Sequence, residues 1–301
     1  MVTPTTMRLV DDTADTEIKF RLGVGSDPSP ITCVSYDLGF PDVREVAQDI
    51  PGQSGQIDDT VWFGGRNVTL NLTVKDGTLS GWGSLSRHQW IDQLRAFCRP
   101  TKRPWLYVWC EGWTQERRLQ LRANSQSCTV DDKGKVIIPV TLTYRVPSGT
   151  MQAVTDTTGT IYPVGASAGI SFPIAWPNTP GIGFAPGSAP NSAILTNDGT
   201  ETAYPLFRIY GQGYNPTIIK RSTGDMVALN TTVPAGHYVD INMADRTVYL
   251  DSDPGLSQYG TLDLARSTWW GLDPGDNDIS FVVGFIDNSC QLYYQYPSEW
   301  I

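Results

Sequence analysis

The sequence of 301 residues has little of what a metal site or a disulfide framework requires. It contains only two histidines, and none of its five cysteines forms a CxxC pair with another. An odd number of widely spaced cysteines, together with so few histidines, predicts free thiols rather than a zinc site. Free thiols are typical of a protein made in a reducing cytosol, so we expect neither disulfides nor a bound metal.

Long apolar runs and a secretory leader are also lacking. The longest clear apolar run, Phe281–Ile286, is far shorter than the roughly 20 residues of a membrane-spanning helix. The first residues, Met1–Thr6, contain neither the basic region nor the apolar region of a signal peptide. We therefore expect a protein that is synthesised in the cytoplasm, without membrane insertion.

Positive charge is scarce and unevenly distributed. Residues 1–150 contain 17 lysines and arginines against 17 aspartates and glutamates, whereas residues 151–301 contain 5 against 14. The second half therefore carries the whole formal net charge of -9. This balance argues against nucleic-acid binding through a basic surface, and the asymmetry predicts two bodies in different surroundings.

Catalytic constellations are lacking as well. No Gly-x-Ser-x-Gly elbow is followed by a suitable histidine, the glutamates are scattered, and His88 lies among structural residues of a predicted helix. The segment Asp273–Asp278 is rich in oxygen atoms, but it lacks EF-hand spacing and a bidentate glutamate, so a tight turn is favoured over calcium binding. We predict no enzyme activity, no catalytic or metal-binding residues and no cofactor.

What the sequence does contain is 29 glycines, 21 prolines and many aromatic residues, a composition that favours short strands and turns. The clearest strand of the first half is Arg66–Lys75, in which apolar and polar residues alternate. A helix is predicted over residues 87–98, with Ser84 or Ser86 as its cap and Pro100 just beyond its end. Its predicted core face comprises Trp90, Ile91, Leu94, Phe97 and Cys98.

Other strands of the first half are predicted at Glu17–Gly23, Ile31–Leu38, Trp105–Cys110, Arg117–Ala123 and Val136–Tyr144. The third and fourth of these are expected to form a hairpin across the turn at Glu111–Trp113. Pro139 cannot donate a ladder hydrogen bond, so its strand is predicted at a sheet edge. The glycine-rich segment Gln48–Asp59 is predicted to be a mobile loop.

A connector is predicted between the halves. Residues 157–197 contain no charged side chain, and six prolines lie between residues 161 and 190. Such a segment favours an extended connector, which we place at residues 151–191. Because a solvated linker usually carries charge, we expect the connector to be buried against a neighbour. It and the loop at residues 49–59 are the candidate contact elements.

The second half contains seven predicted strands at close, regular spacing, which is typical of an antiparallel β-sandwich. They are Tyr204–Tyr210, Thr217–Lys220, Met226–Leu229, Tyr238–Asn242, Thr247–Leu250, Ile279–Phe285 and Leu292–Tyr296. The chain is thus predicted to be mostly β. We expect an N-terminal β-domain with one helix at residues 1–150, the connector, and a C-terminal sandwich at residues 192–301.

The turn and strand residues of the second half form a recognisable string. Its parts are Asn197–Thr200, Ala203–Pro205, Ile209–Gly211, Asn215–Ile218, Thr223–Gly224, Pro234–Gly236, Val239–Ile241, Asp245–Val248, Ser267–Trp270, Leu272, Pro274–Gly275, Asn277 and Ile279. Matching parts of the first half are Pro51–Gly55, Gly65–Val74, Leu94–Phe97 and Trp105–Trp109. Over most of its length the chain resembles the distal tail (Dit) proteins of siphophages, which have a C-terminal galectin-like sandwich.

This resemblance implies a structural role in the virion, at the tip of the phage tail. It implies a homohexameric ring at the distal end of the tail tube, with N-terminal domains forming the ring and galectin-like domains projecting outward. The implied partners are the major tail tube protein, the tail-tip hub protein and receptor-binding proteins. The ring would join the tube to the host-adsorption apparatus.

An alternative is a carbohydrate-binding module that contributes to host adsorption through the C-terminal half. The pair Trp269 and Trp270 could stack on a sugar, but adjacent strand residues face opposite sides, so at most one is free. His237 follows an Ala-Gly turn signal and is expected to be a turn residue. The histidine, arginine, asparagine and tryptophan constellation of sugar-binding galectins is not assembled by this sequence.

Overall fold

Alternating apolar and polar residues make strands the main element of this chain. The computed structural model describes residues 4–11, 16–22, 29–44, 47–49, 56–58, 62–77, 85–132, 136–163, 191–286 and 290–301. These residues form two compact units. Unit 1 comprises residues 1–154 together with 300–301, and unit 2 comprises residues 155–299.

Unit 1 contains thirteen strands of the described chain and one long helix. The strands are β1 (Pro4–Asp11), β2 (Thr16–Leu22), β3 (Ile31–Asp37), β4 (Val43–Arg44), β5 (Ala47–Asp49), β6 (Gln56–Asp58), β7 (Trp62–Phe63), β8 (Arg66–Val74), β9 (Trp105–Cys110), β10 (Arg117–Gln120), β11 (Arg122–Val130), β12 (Ile138–Val146) and β13 (Met151–Ala153). The helix, α1, spans Arg87–Phe97. No helix in the described part of the chain is both long and apolar enough to cross a membrane.

The main sheet of unit 1 runs in the order β11, β12, β8, β3, β2, β1, β9, β10, β13 and ends in a last strand at Glu299–Trp300. From β11 to β13 its pairings are antiparallel except between β2 and β3, which are parallel over two residue pairs. Side chains from both halves of this sheet and from α1 share one core. The predicted hairpin of β9 and β10 is confirmed.

The strand β8 and the helix α1 bury the apolar faces that the sequence predicts. In β8 the apolar positions from Val68 to Val74 are buried, while Asn67 and Asn71 are exposed. In α1 the residues Ile91, Leu94 and Phe97 are buried in the core. Trp90 and Cys98, also predicted there, are half-buried against it. The backbone N–H of Ser86 donates to the Gln89 side chain at the first turn, 2.8 Å away.

The prediction that Pro139 marks an edge strand is wrong. Its strand, β12, lies between β11 and β8, and Pro139 pairs with Thr73. The Pro139 carbonyl accepts from the N–H of Asp131, just beyond the end of β11. In an antiparallel strand the N and O of one residue face the same neighbour. An N–H at position 139 would therefore face Asp131, which lies beyond the last residue of β11. Its absence removes no hydrogen bond from the β11–β12 ladder.

Unit 2 contains eleven strands of the described chain. They are β14 (Thr157–Ile161), β15 (Ser192–Asn197), β16 (Leu206–Tyr210), β17 (Gly213–Tyr214), β18 (Thr217–Lys220), β19 (Met226–Ala228), β20 (Tyr238–Asn242), β21 (Thr247–Leu250), β22 (Gly275–Val282), β23 (Phe285–Ile286) and β24 (Gln291–Tyr296). The five-stranded sheet β14-β24-β16-β20-β21 and the four-stranded sheet β15-β22-β18-β19 contribute to one core. This is an antiparallel β-sandwich, as predicted.

Two parts of the predicted connector are strands in the structure. Met151–Ala153 pairs with β10 in unit 1, and Thr157–Ile161 pairs with β24 in unit 2. Residues 164–190 lie outside the described residues, so the connector and its burial stay predictions. In the segment predicted as a loop, the strands β5 (Ala47–Asp49) and β6 (Gln56–Asp58) form an antiparallel pair. Residues 50–55 of that segment are outside the described residues.

The chain leaves unit 1 after Val154 and returns to it at Trp300, in the final strand β25 (Glu299–Trp300). The guanidinium of Arg117 lies between two indole rings, 3.9 Å from the Trp113 centroid and 4.1 Å from the Trp300 centroid. Burial lowers the pKa of Arg117 to about 10, so it stays charged at neutral pH. Cation–π stacking on both faces stabilises that charge and holds the returning chain in unit 1.

Arg66 is the buried charge that organises one end of unit 1. It is only 2% exposed, and its Nε donates to the Gly149 carbonyl at 2.6 Å. Its Nη1 lies 3.5 Å from the Gly39 carbonyl, and its Nη2 has no partner in the described part of the chain. Burial lowers its pKa to about 10, which leaves the guanidinium protonated at pH 7. The charge thus depends on backbone carbonyls in place of a carboxylate.

Both carbonyls come from positions that require glycine. Gly39 has φ +63°, and a Cβ there would lie 2.2 Å from the Asn67 oxygen. Gly149 has φ +71°, and a Cβ there would lie 2.2 Å from the Gly64 oxygen. Only glycine tolerates both the left-handed backbone and this close approach. Through these hydrogen bonds, Arg66 at the start of β8 holds two tight turns, one after β3 and one after β12.

Replacing Arg66 with methionine is expected to lower the free energy of unfolding by about 2–3 kcal/mol. The apolar side chain keeps most of the volume but leaves the Gly39 and Gly149 carbonyls without their donor. Urea denaturation followed by tryptophan fluorescence measures the change. Arg122→Met, at an exposed position, is the control and should cost less than about 0.5 kcal/mol. Equal effects of the two substitutions would contradict this role of Arg66.

Candidate functional site

In unit 1 the chain between two neighbouring strands of the sheet contains two further strand pairs. β3 and β8 are hydrogen-bonded to each other, and the chain between them forms two nested antiparallel pairs. The outer pair is β4 with β7, and the inner pair is β5 with β6. We call residues 38–65, whose described parts form these two pairs, the arm.

The base of the arm exposes three apolar side chains. Phe40 is 64% exposed, Val43 48% and Phe63 42%. The rings of Phe40 and Phe63 meet edge to face, with centroids 6.0 Å apart. We call these three residues the apolar patch. Large apolar side chains that are exposed together mark an interaction surface, because water contact costs free energy that a partner would recover.

The two tryptophans at positions 269 and 270 lie outside the strands of unit 2, and only one of them is buried. Trp270 is 6% exposed, and its ring lies 5.6 Å from that of Phe207 in the core. Trp269 is half-buried and stacks on Tyr259, with ring centroids 6.3 Å apart and planes 19° from parallel. Only Trp269 is therefore placed to meet a ligand, and the carbohydrate-binding hypothesis stays a prediction.

The outward face of the five-stranded sheet in unit 2 carries a closed ion pair. Arg208 binds the Asp240 carboxylate with two hydrogen bonds, of 2.5 and 2.9 Å, and stacks over the Tyr238 ring. The hydrogen bonds to Asp240 are the main reason why the pKa of Arg208 is raised. Ser252 donates a further hydrogen bond to the same carboxylate. These groups satisfy one another, which is typical of a structural network.

The oxygen-rich turn Asp273–Asp278 is organised by its own asparagine. Asn277 is buried, accepts from the Asp273 N–H, and donates to the carbonyls of Asp273 and Gly275. The Asp273 carboxylate lies 2.6 Å from the Lys220 ammonium. Among the described residues, no group of three or more His, Cys, Asp or Glu side chains could hold a metal ion. The turn has the local hydrogen bonds that asparagine and aspartate supply in turns.

The two histidines lie at the surface, each beside an aspartate. His88 Nδ1 is 3.7 Å from Asp132, and His237 Nδ1 is 2.6 Å from Asp251. The hydrogen bond from His237, with that from the Tyr238 N–H, lowers the pKa of Asp251. In the part of the chain that the structure describes, neither imidazole has a hydroxyl or thiol as hydrogen-bond partner. The arrangement therefore has a base and an orienting acid at most, without a nucleophile.

Two cysteines that sequence spacing does not connect lie together in unit 1. Cys98 follows α1, Cys128 lies in β11, and their thiols interact with each other and with the Tyr144 hydroxyl. A separation of some thirty residues is no known thiol motif, so only the fold could show this pair.

The comparisons with known proteins agree with this architecture. Residues 198–300 match the profile of the family described as siphovirus-type tail component, C-terminal domain. The protein is thus a structural component of a phage tail, located in the virion. No curated protein sequence matches the chain.

A solved structure extends the likeness to both units. The Dit protein of phage SPP1, described as a hub of the adsorption apparatus in phages that infect Gram-positive bacteria, has a TM-score of 0.61. The match covers 98% of this chain and 99% of the SPP1 protein, at 11% identity. At that identity the likeness establishes the shared fold alone. The phage P2 baseplate structures with calcium and with strontium cover 97% of both chains, at 10% and 11% identity and TM-scores of 0.49, and no conclusion depends on them.

Replacing Trp270 with alanine is expected to lower the free energy of unfolding by about 3 kcal/mol, because it leaves a cavity beside Phe207. Trp269→Ala removes only a half-buried ring and should cost less than about 1 kcal/mol. Chemical denaturation of the two variants measures the difference. A larger loss for Trp269→Ala than for Trp270→Ala would show that the two rings are assigned to the wrong surroundings.

Proposed function

We propose that the protein is a distal tail hub subunit, which forms a homohexameric ring between the tail tube and the host-adsorption apparatus. The observation that carries the proposal is the tail-component match of residues 198–300 on a chain whose whole length shares the fold of a Dit protein. Ring formation requires a surface that binds another copy of the same chain. The apolar patch at the base of the arm supplies a candidate for that surface.

Charge separates the two units in a way that suits a ring. Unit 1 has 17 positive and 17 negative residues, whereas unit 2 has 5 and 14. Copies of a neutral unit approach one another without net repulsion. Copies of a unit with net charge -9 repel one another and favour separated positions. This supports unit 1 as the ring-forming unit and unit 2 as the outward-projecting one.

The other proposed partners are the major tail tube protein, the tail-tip hub protein and receptor-binding proteins. The arm, with its apolar patch, is the proposed contact with a second copy. The proposed role is structural and not enzymatic. What supports this is the engagement of both histidines by aspartates and of the Arg208–Asp240 pair by each other. Such groups stabilise a fold and are not poised to attack a substrate.

Replacing Phe40 and Phe63 together with serine is expected to prevent self-association, because it removes most of the apolar patch without touching the buried core. Light scattering of the purified protein measures the solution mass. We expect the wild type near six times the 33.1 kDa of one chain, and the double variant near one chain mass. Circular dichroism should be the same for both, which shows that the variant is folded.

Leu264→Ser is the matched control, since Leu264 is an exposed leucine of unit 2. This variant should keep the solution mass of the wild type. If the double variant also kept that mass, the patch would not be the self-association surface. A wild type that stays a single chain at every concentration would argue against spontaneous ring formation.

A further inference from the structure

Two of the five cysteines share one site at the end of the helix. Cys98 is the residue that follows α1, and its Sγ lies 3.6 Å from the carbonyl oxygen of Ser127. Ser127 immediately precedes Cys128 in β11, and the two thiols interact directly. The Tyr144 hydroxyl, in β12, lies 3.1 Å from the Cys98 Sγ. Three elements therefore converge on one pair of sulfur atoms.

Cys98 and Cys128 differ from the other cysteines in their exposure to solvent. Cys33, Cys110 and Cys290 are buried, whereas Cys98 and Cys128 are half-buried. Burial is the main reason why the pKa of the Cys33 thiol is raised to about 11. A thiol that is both buried and protonated reacts slowly with reagents in solution. By exposed surface, Cys98 and Cys128 are therefore more accessible to a small reagent than the other three cysteines.

The surroundings assign different roles to the two sulfur atoms. The interaction with Cys98 lowers the pKa of Cys128 to about 7, and the Arg95 guanidinium adds to this effect while burial opposes it. The same interaction with Cys128, together with burial, raises the pKa of Cys98. Cys98 also sits at the C-terminal end of α1, where the helix dipole disfavours a negative charge. The Arg95 guanidinium and the helix end therefore both favour a negative charge on Cys128 over one on Cys98, which makes Cys128 the better nucleophile of the pair.

We propose that Cys98 and Cys128 form a thiol–disulfide exchange site that accepts a small disulfide, such as oxidised glutathione, and closes to an intramolecular disulfide. The Cys128 thiolate attacks one sulfur of the small disulfide, so that a mixed disulfide forms and one glutathione thiolate leaves. Cys98 then loses its proton to water, and its sulfur attacks the Cys128 Sγ. The second glutathione leaves, and the two cysteine thiols are oxidised while one glutathione disulfide is reduced.

The disulfide would tie the end of α1 to β11 around the hairpin of β9 and β10. Closing a loop of about 30 residues removes conformational freedom from the unfolded chain, so it stabilises unit 1. Both thiols stay reduced in a cytosol, and an oxidising exterior would favour the disulfide. The exchange chemistry does not depend on the proposed tail-hub function. Only its timing, after release of the virion from the cell, rests on that function.

The test uses the full-length wild-type protein and oxidised glutathione as the probe. After exposure, the protein is digested without reduction and its peptides are analysed by mass spectrometry. The expected product is a peptide pair that joins Cys98 to Cys128 and has lost two hydrogen atoms. The oxidised protein should melt about 5 °C or more above the reduced protein. A folded protein in which these cysteines stay unlinked, or link to other cysteines, would overturn the proposal.

Single serine variants separate the roles of the two sulfur atoms. Cys98→Ser should accumulate the mixed disulfide on Cys128, because the resolving thiol is missing. Cys128→Ser should leave Cys98 at least tenfold less modified in the same time. Cys290→Ser removes a buried cysteine of unit 2 and should form the Cys98–Cys128 link as the wild type does. Glutathione on Cys98 in place of Cys128 would reverse the assignment and contradict the proposed site.

Discussion

One buried positive charge organises the end of unit 1 that carries the apolar patch. The Arg66 guanidinium meets the carbonyls of Gly39 and Gly149, and no carboxylate of the described residues neutralises it. Desolvating a charge is costly, so the two carbonyls must stay where the guanidinium requires them. Gly39 is followed at once by Phe40 of the apolar patch. The residue that Arg66 holds is therefore directly bonded to an exposed phenylalanine of the patch.

The base of the arm is held by the same group of hydrogen bonds. The arm leaves the sheet after β3 and returns to it directly before Arg66, at the start of β8. Both ends are held by backbone hydrogen bonds: the Asp42 N–H donates to Gly65, and the Gly64 N–H donates to Asp42. A base held in this way, with exposed phenylalanines, is a suitable surface for a contact between copies, since little conformational entropy is lost on binding.

Local patterns in the sequence predict much of the fold. Alternation predicts β8 and most strands of unit 2, and the helical period predicts α1, because these signals depend on neighbours within a few residues. The strand at Thr157–Ile161 lies inside an uncharged stretch, and there composition favoured a connector over a strand. Pro139 was assigned to an edge because the sequence does not show that β11 ends beside it.

The candidate surfaces are less predictable, since they depend on contacts between distant residues. Arg66 precedes an apolar alternation, and nothing local indicates that a charged side chain begins its buried face. Its partner Gly149 lies 83 positions away. Likewise, the Cys98–Cys128 pair exists only because β11 returns beside the end of α1. The tail-component resemblance, by contrast, depends on turn residues that remain local, so the sequence alone indicates it.

As a hub, the protein would lie at the tip of the tail. Immunogold labelling of intact virions, with an antibody against this chain, tests that claim most directly. Electron micrographs should show gold at the distal end of the tail, and the label should be lost when the antibody is first saturated with purified protein. Gold along the tail shaft, at the capsid junction, or nowhere on intact particles would contradict the account.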